Sequence, residues 1–410
     1  MNLRDKHVAV IGGGVAGLTA ADDLARCGVS VSIVEKSPFL GGQAIQLVCK
    51  ATDGCVKCGA CVAEEKLLQA SSHPNVVFLT ATSITGFSAG SPIVLDFESH
   101  SPLINADKCN GCGICFAKCP VAGTLMLGNA PRLGPYVAIR RELCRFFDHA
   151  ACTLCRDACP QGAITLSDRN RSGRLKVDAI LLATGFSPHN PSEKPYGYSR
   201  FRDVVTNLDA ERILREQAML KCPSNGRLPE RVAFIQCVGS RDTKLGHPWC
   251  SKFCCGSSLR MAAMILSRQP DTHVSFYYID VQRFGKDFKQ VYEACRNRIE
   301  FIRAIPGDIF QTDAGRLQVV YFDPATHESK ESEFDMVVLS AGMTPAAGSK
   351  DLVQMLNWRL ADTGFLESSG DATGQSEGIF VAGAASGPMT IAESVASAGH
   401  AAWQILDYLG

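Results

Sequence analysis

Residues His7–Lys36 read HVAVIGGGVAGLTAADDLARCGVSVSIVEK, and this stretch decides the fold. His7–Ile11 is an apolar, β-branched run of the kind that forms a strand buried in a parallel sheet. Gly12, Gly14 and Gly17 follow as G-x-G-x-x-G, Leu18–Cys27 has helical periodicity, and a second strand, Val29–Val34, ends at Glu35. Glycines at these places permit a tight turn and bring backbone N–H groups close to a pyrophosphate at the helix N-terminus. Glu35 lies 18 residues beyond Gly17, where a carboxylate can accept from ribose hydroxyls. A glycine pattern alone is weak, and a glycine-rich turn without ligand is the competing reading. Strand, loop, helix, strand and acid together form a Rossmann unit, with Gly12, Gly14, Ala16, Gly17, Glu35 and Lys36 as candidate dinucleotide contacts.

A chain of 410 residues implies two or three domains with ample core. Hydrophobic content of 46% with 20% charged residues is that of an ordinary soluble protein. Lys plus Arg equals Asp plus Glu at 41 each, so no global field favours nucleic acid or acidic lipid. No apolar run reaches bilayer-spanning length, and Met1–Arg4 leads almost directly into a strand, so no membrane span and no signal peptide are expected. Nineteen cysteines, many in C-x2-C runs, imply metal ligation in a reducing compartment. A cytoplasmic location is expected, peripheral to a membrane only through partners.

Cys109-x2-Cys112-x2-Cys115-x3-Cys119-Pro120 is the bacterial ferredoxin run in full. Its partner is less regular, Cys144-x7-Cys152-x2-Cys155-x3-Cys159-Pro160, with His149 where a regular run has its first cysteine. Thiolate suits iron better than imidazole, so Cys144 is the expected ligand and His149 the alternative. The fourth cysteine of each run crosses over in two-cluster ferredoxins. One [4Fe-4S] set is therefore Cys109, Cys112, Cys115 and Cys159, and the other Cys144, Cys152, Cys155 and Cys119, with a short strand expected at Gln161–Leu166. Cys49-x5-Cys55-x2-Cys58-x2-Cys61 is a candidate for a further cluster, with a redox disulfide or a zinc site as alternatives.

Gln236–Gly256 reads QCVGSRDTKLGHPWCSKFCCG, placing Cys237, Cys250, Cys254 and Cys255 as C-x12-C-x3-C-C. Adjacent cysteines rarely bridge each other, so four such thiols suit a shared metal or cluster better than disulfides. Strand Arg231–Gln236, helix Gly256–Ser267 and strand His273–Asp280 form a second βαβ unit. Its phosphate loop is replaced by Cys237-Val238-Gly239, without a G-x-G-x-x-G. Asp280, at the place of a ribose-binding acid, therefore reads as a vestigial or solvated end residue. His247 reads as a packed loop histidine rather than a cluster neighbour. Met336–Ala341 reads as the return of the chain to the first domain.

Three further segments resemble FAD-dependent disulfide reductases. Gly41–Gln43 resembles their second glycine pair, with Gly42 and Gln43 as contacts. Lys176–Phe186, KVDAILLATGF, resembles their strand returning to the cofactor at Thr184 and Gly185. Gly378–Gly383, GIFVAG, with a helix from about Met389 to Leu409, resembles their last FAD-contacting strand and helix at Gly383, Ala384 and Ile391. Such a helix can aim its dipole at the flavin's pyrimidine edge.

Together, the C-x12-C-x3-C-C stretch, the inserted ferredoxin and the flavin motifs resemble the A subunit of heterodisulfide reductase. Related are the A subunit of quinone-interacting membrane-bound oxidoreductase and the similar subunit of class II benzoyl-coenzyme A reductase complexes. The resemblance covers nearly the whole chain. It implies an α/β, thioredoxin-reductase-like FAD/NAD(P)-binding Rossmann fold with an inserted α+β two-cluster ferredoxin domain. The expected parts are flavin-domain segments 1–102, 168–227 and 335–410, the ferredoxin insert 103–167, and an NAD-domain-like unit 228–334 carrying a Cys-ligated cluster. The implied activity is electron transfer between FAD and three [4Fe-4S] clusters, or four with Cys49–Cys61, alongside disulfide-reducing, quinone-linked or acyl-coenzyme A-reducing subunits. A homodimer within the complex is compatible with it. Some family members bifurcate electron pairs, but their lysine after Gly-Pro is Met389 here, which weighs against that behaviour. Two other readings stay open: a self-contained NAD(P)H-dependent flavin reductase and a non-catalytic electron-relay scaffold.

Overall fold

The computed structural model describes residues 3–105, 107–121, 123–130, 134–148, 152–167, 169–282, 288–368 and 377–410. Its first sheet has five parallel strands in the order Ile379–Val381, Ala179–Leu182, His7–Ile11, Ser30–Val34, Val76–Leu79. Their near-continuous Val, Ile, Leu and Ala content follows from burial on both faces. Helices Val15–Arg26 and Ile391–Leu409 cover one face through Leu18, Leu24, Ala398 and Ile405. A three-stranded antiparallel sheet, Thr82–Ser88, Ile93–His100 and Asn170–Val177, supplies Ile93, Leu95 and Val177 to the other face. Val76–Leu79 and Thr82–Ser88 are separate strands, with Ala81 at φ +49° turning the chain between sheets.

The second sheet is also parallel, in the order Val204–Thr206, Met336–Ala341, Arg231–Val238, His273–Tyr277, Ile299–Ile302. Here the structure departs from expectation. Met336–Ala341 does not return to the first domain; it pairs with Arg231–Val238 at Val232↔Met336 through Ile235↔Leu339. The strand is buried at every residue, so its sequence carries no alternation to say which sheet it joins. Val204–Thr206 and helix Asn207–Gln217, opened by a Thr206–Asp209 capping box, join the same unit. An antiparallel ribbon of Phe186–Pro188 and Met343–Pro345 connects the two units.

Residues 101–169 leave and rejoin the antiparallel sheet at one point, because His100 pairs with Asn170 and Ser101 N–H donates to Arg169 O at 2.9 Å. The segment can therefore be inserted without disturbing the sheet that carries it. It holds hairpin Leu125–Ala130/Gly134–Ile139, helices Ile114–Lys118 and Leu154–Asp157, and its own core around Leu103, Ile104, Val137 and Ile164. The strand expected at Gln161–Leu166 is reduced to an isolated Ile104↔Ile164 bridge. Met126 and Ala138 of the hairpin pack with Val15, Phe39 and Ile45 of the first unit.

The loop after Gly42 straps the two units together. Lys50 Nζ lies 2.5 Å from Glu211 Oε1, both side chains being 2% exposed, and Val48 N–H donates to Glu211 Oε2 at 2.9 Å. Arg260 Nε adds a bond to Val56 O at 2.7 Å. Removing one partner of such a pair leaves a buried charge uncompensated. Glu211→Gln is expected to lower unfolding stability by about 3–5 kcal/mol, and Lys50→Met combined with Glu211→Leu to recover much of it, as read by urea denaturation.

Candidate functional site

Four sequence-distant segments meet at the carboxyl ends of the first sheet. The pairings Ile11↔Val34, Ile11↔Leu182 and Val381↔Leu182 set Gly12, Glu35, Ala183–Gly185 and Gly383 side by side. That is where open α/β sheets bind ligands. A Cβ on Gly12, at φ +112°, would lie 2.3 Å from Ala183 O, and one on Gly17 would lie 2.0 Å from Gly12 O. Both glycines are thus demanded by protein packing. Gly14 is different: its nearest neighbour would be Gly42 Cα at 3.9 Å, and as N-cap it supplies no side-chain bond to the first turn of Val15–Arg26. The turn is left open to a ligand. Ala16 is buried beneath it, its Cβ 2.6 Å from where a Gly383 Cβ would stand.

Glu35 is buried and accepts from Gly13 N–H and Ser37 N–H, both at 2.7 Å. Each carboxylate oxygen keeps a further lone pair for a hydroxyl. Thr184 Oγ1 is buried and has no hydrogen-bond partner among the described residues. A buried hydroxyl left unpaired is costly, which suits a group completed by a ligand. Gly185 turns at φ +67°, and Ala384 is buried at the start of the last loop. Lys36 reaches Ala347 O at 3.4 Å, Gln43 accepts from Gln46, and Ile391 packs with Val15 and Phe39.

In the inserted segment the thiols sort into two cavities. Cys109, Cys112, Cys115 and Cys159 line one. Cys119, Cys144, Cys152 and Cys155 line the other. Each is lined by four cysteines drawn from both runs, so the two form a pseudo-symmetric pair. Burial pushes the Cys115 thiol up to about 11, and burial likewise raises Cys144 and Cys155. His149 lies outside the described residues.

The second unit brings Cys237, Cys250, Cys254 and Cys255 together. Cys237 lies within a register irregularity between Ile235 and Val238 near the end of its strand, at φ +60°. The intervening residues fold back on themselves, Arg241 N–H donating to Trp249 O at 2.9 Å and Asp242 N–H to His247 O at 2.8 Å. This returns Cys250 to Cys237. Cys254 and Cys255 are the first turn of helix Cys254–Arg268, which begins earlier than its periodicity suggests. Buried Gln236, Ser258 and Ser340 hold the strand end to that helix, through Gln236 Nε2 to Ser340 Oγ and Ser340 Oγ to Ser258 Oγ, both at 2.8 Å. Burial pushes the Cys237 thiol up to about 12; Cys255 adds to this and Arg241 opposes it. Cys254 is raised by burial and by all three other thiols.

Asp280, read from the sequence as a vestigial or solvated end residue, is 41% exposed and has partners. Its carboxylate pairs with Arg241 Nη1 at 2.6 Å and holds Gln282 Nε2 at 2.8 Å, and Arg241 faces the thiols. Sequence reading missed Arg241, although it stands four residues beyond Cys237. His247 Nδ1–H donates to Gly239 O at 3.0 Å and the ring packs on Trp249, as a loop histidine does. Cys49, Cys55 and Cys61 are exposed and Cys58 half-buried on the strap. Among the described residues, no three His, Cys, Asp or Glu side chains are arranged to hold a single metal ion. Among them, too, no helix is long and apolar enough to cross a membrane.

A family model described as pyridine nucleotide-disulphide oxidoreductase matches residues 6–235. The chain is 33% identical over 420 residues to the A subunit of the H(2):CoB-CoM heterodisulfide,ferredoxin reductase of Methanothermobacter thermautotrophicus, covering 97% of this chain and 63% of that protein. It is 34% identical, with the same coverage, to the iron-sulfur A subunit of the CoB--CoM heterodisulfide reductase of Methanocaldococcus jannaschii. It thus spans less than two thirds of these relatives' length. Among solved structures, T. acidophilum thioredoxin reductase superposes with a TM-score of 0.56 at 15% identity, over 99% of this chain and 100% of that one. The fold is therefore the thioredoxin-reductase-like FAD/NAD(P)-binding Rossmann α/β fold. The chain belongs to the pyridine nucleotide-disulphide oxidoreductase family, within which it is a homologue of the heterodisulfide reductase A subunit.

Proposed function

We propose that this chain is the flavin and iron–sulfur subunit of a multisubunit oxidoreductase, holding FAD in the first unit, two [4Fe-4S] clusters in a ferredoxin domain at 103–167, and a third at Cys237–Cys255. The observation that carries the reading is the sorting of eight cysteines into two cavities, each with the crossed ligand set expected of a two-cluster ferredoxin. FAD fits the cradle: Gly14 leaves room for a pyrophosphate, Glu35 can accept from a ribose, and the unpaired Thr184 hydroxyl awaits a partner. When bound, FAD supplies the exchange between two-electron and one-electron chemistry, and the clusters supply single-electron storage.

The residues do the rest. Burial favours the protonated form of the Cys115, Cys144, Cys155 and Cys237 thiols, so metal loading must release their protons to the solvent. Arg241 partly offsets the negative charge that four thiolates and a cluster bring. Cys254 and Cys255 occupy the helix N-terminus where a reductase of this fold would receive a dinucleotide phosphate. Hydride donation from NAD(P)H to this unit is thereby disfavoured. Partners are redox subunits of disulfide-reducing, quinone-linked or acyl-coenzyme A-reducing type; the names of the relatives point to the first.

Iron and acid-labile sulfide assays test the reading: about twelve irons per chain are expected, and about sixteen would place a fourth cluster at Cys49, Cys55, Cys58 and Cys61. A chain that takes up about four irons or fewer under anaerobic reconstitution would sink it.

A further inference from the structure

Lys252 stands between two of the four clustered thiols, at φ +62°, a left-handed conformation that side chains avoid unless their surroundings hold them there. The turn has two consequences. It aims the Lys252 main-chain N–H at Cys250 Sγ, 3.3 Å away. It also sends the ammonium out of the second unit to Glu393 Oε1, at 3.1 Å. Glu393 belongs to the first turn of helix Ile391–Leu409, where its other oxygen accepts from Thr390 N–H at 2.8 Å. Next to Lys252, the Phe253 ring lies 6.3 Å from that of Phe186, which follows Thr184 and Gly185 directly. One short loop thus touches the first unit at two points, both on segments proposed to hold the flavin.

Stability does not explain the ion pair. The two side chains are 34% and 43% exposed, and pairs so placed contribute little to folding. What the pair does is fix a cation where two redox groups would come together. Hydrogen bonds to a ligand sulfur and nearby charge are the main levers on cluster and flavin potentials.

Resting on the proposed function, we propose that Lys252 is a positioning residue that couples the Cys237–Cys255 centre to the flavin. Its N–H holds the Cys250 sulfur while its ammonium, docked on Glu393, seats the loop against the flavin unit and offsets negative charge there. Removing the cation leaves Glu393 unpaired, which disfavours added electrons. Removing the carboxylate leaves the cation unpaired, which favours them. The two changes should act in opposite directions, which a merely structural contact would not do.

The test uses the full chain loaded with iron and FAD, with flavin and cluster midpoint potentials measured by spectroelectrochemical titration. Lys252→Met is expected to shift the flavin potential to more negative values, and Lys252→Arg to restore it. Glu393→Gln, which keeps the capping bond to Thr390, is expected to shift it the other way. Potentials unchanged in both variants, or moved in the same direction, overturn the proposal. A wild-type chain that takes up neither iron nor FAD would instead defeat the functional reading on which it rests.

Discussion

Cys255→Ser in the reconstituted chain is expected to lose about four irons and four sulfides, falling from about twelve to about eight, while FAD stays bound. Cys255 is buried in the first turn of Cys254–Arg268, beside Cys254 and within the field of Cys237 and Cys250. A serine there offers a harder, less acidic oxygen that suits iron poorly. The flavin cradle should survive, because it is built on a different sheet from different strands. The two cysteine-lined cavities of the inserted segment share no cysteine with this centre. Electron transfer to the proposed partner subunits should fall with the iron. Full iron content, or partner electron transfer at wild-type rates, would show that this stretch is not a cluster site.

The glycine loop yields the second large effect, because its glycines are there for different reasons. Gly14→Ala should leave the fold intact, since φ is −81° and the nearest protein atom to the new methyl lies 3.9 Å away. The methyl instead enters space kept for a pyrophosphate, so FAD affinity should fall about hundredfold, or about 2.7 kcal/mol. Gly12→Ala should destabilise the protein itself, because the methyl meets Ala183 O at 2.3 Å and φ is +112°. Flavin fluorescence titration combined with thermal melts separates the two outcomes. An empty but equally stable Gly14→Ala protein supports the cradle; unaltered FAD affinity rejects it.

The fold was legible where chemistry forces local sequence. His7–Glu35 declares strand, turn, helix and acid within thirty residues, and the structure places all four as expected. The grouping of the inserted segment's eight cysteines was legible for the same reason, since spacing is local, and the two sets read from it line two separate cavities. What escaped was long-range. Met336–Ala341 is apolar on both faces, so nothing in it distinguishes one buried sheet from the other. Lys50 and Glu211 are 161 residues apart, and each alone looks like a surface charge. Only the fold shows them as one buried pair. Lys252 and Glu393 escaped in the same way, as did the pairing of Asp280 with Arg241, which depends on how residues 238–249 double back.

Anaerobic titration of the iron-loaded, FAD-loaded chain with NADH and NADPH tests most directly the proposed replacement of a phosphate loop by clustered cysteines. The flavin absorbance band should persist with either nucleotide and bleach with a strong one-electron reductant such as dithionite. Rapid bleaching by NADH or NADPH alone would contradict it, since hydride would then be reaching the flavin through a site that Cys237, Cys254 and Cys255 are held to have replaced.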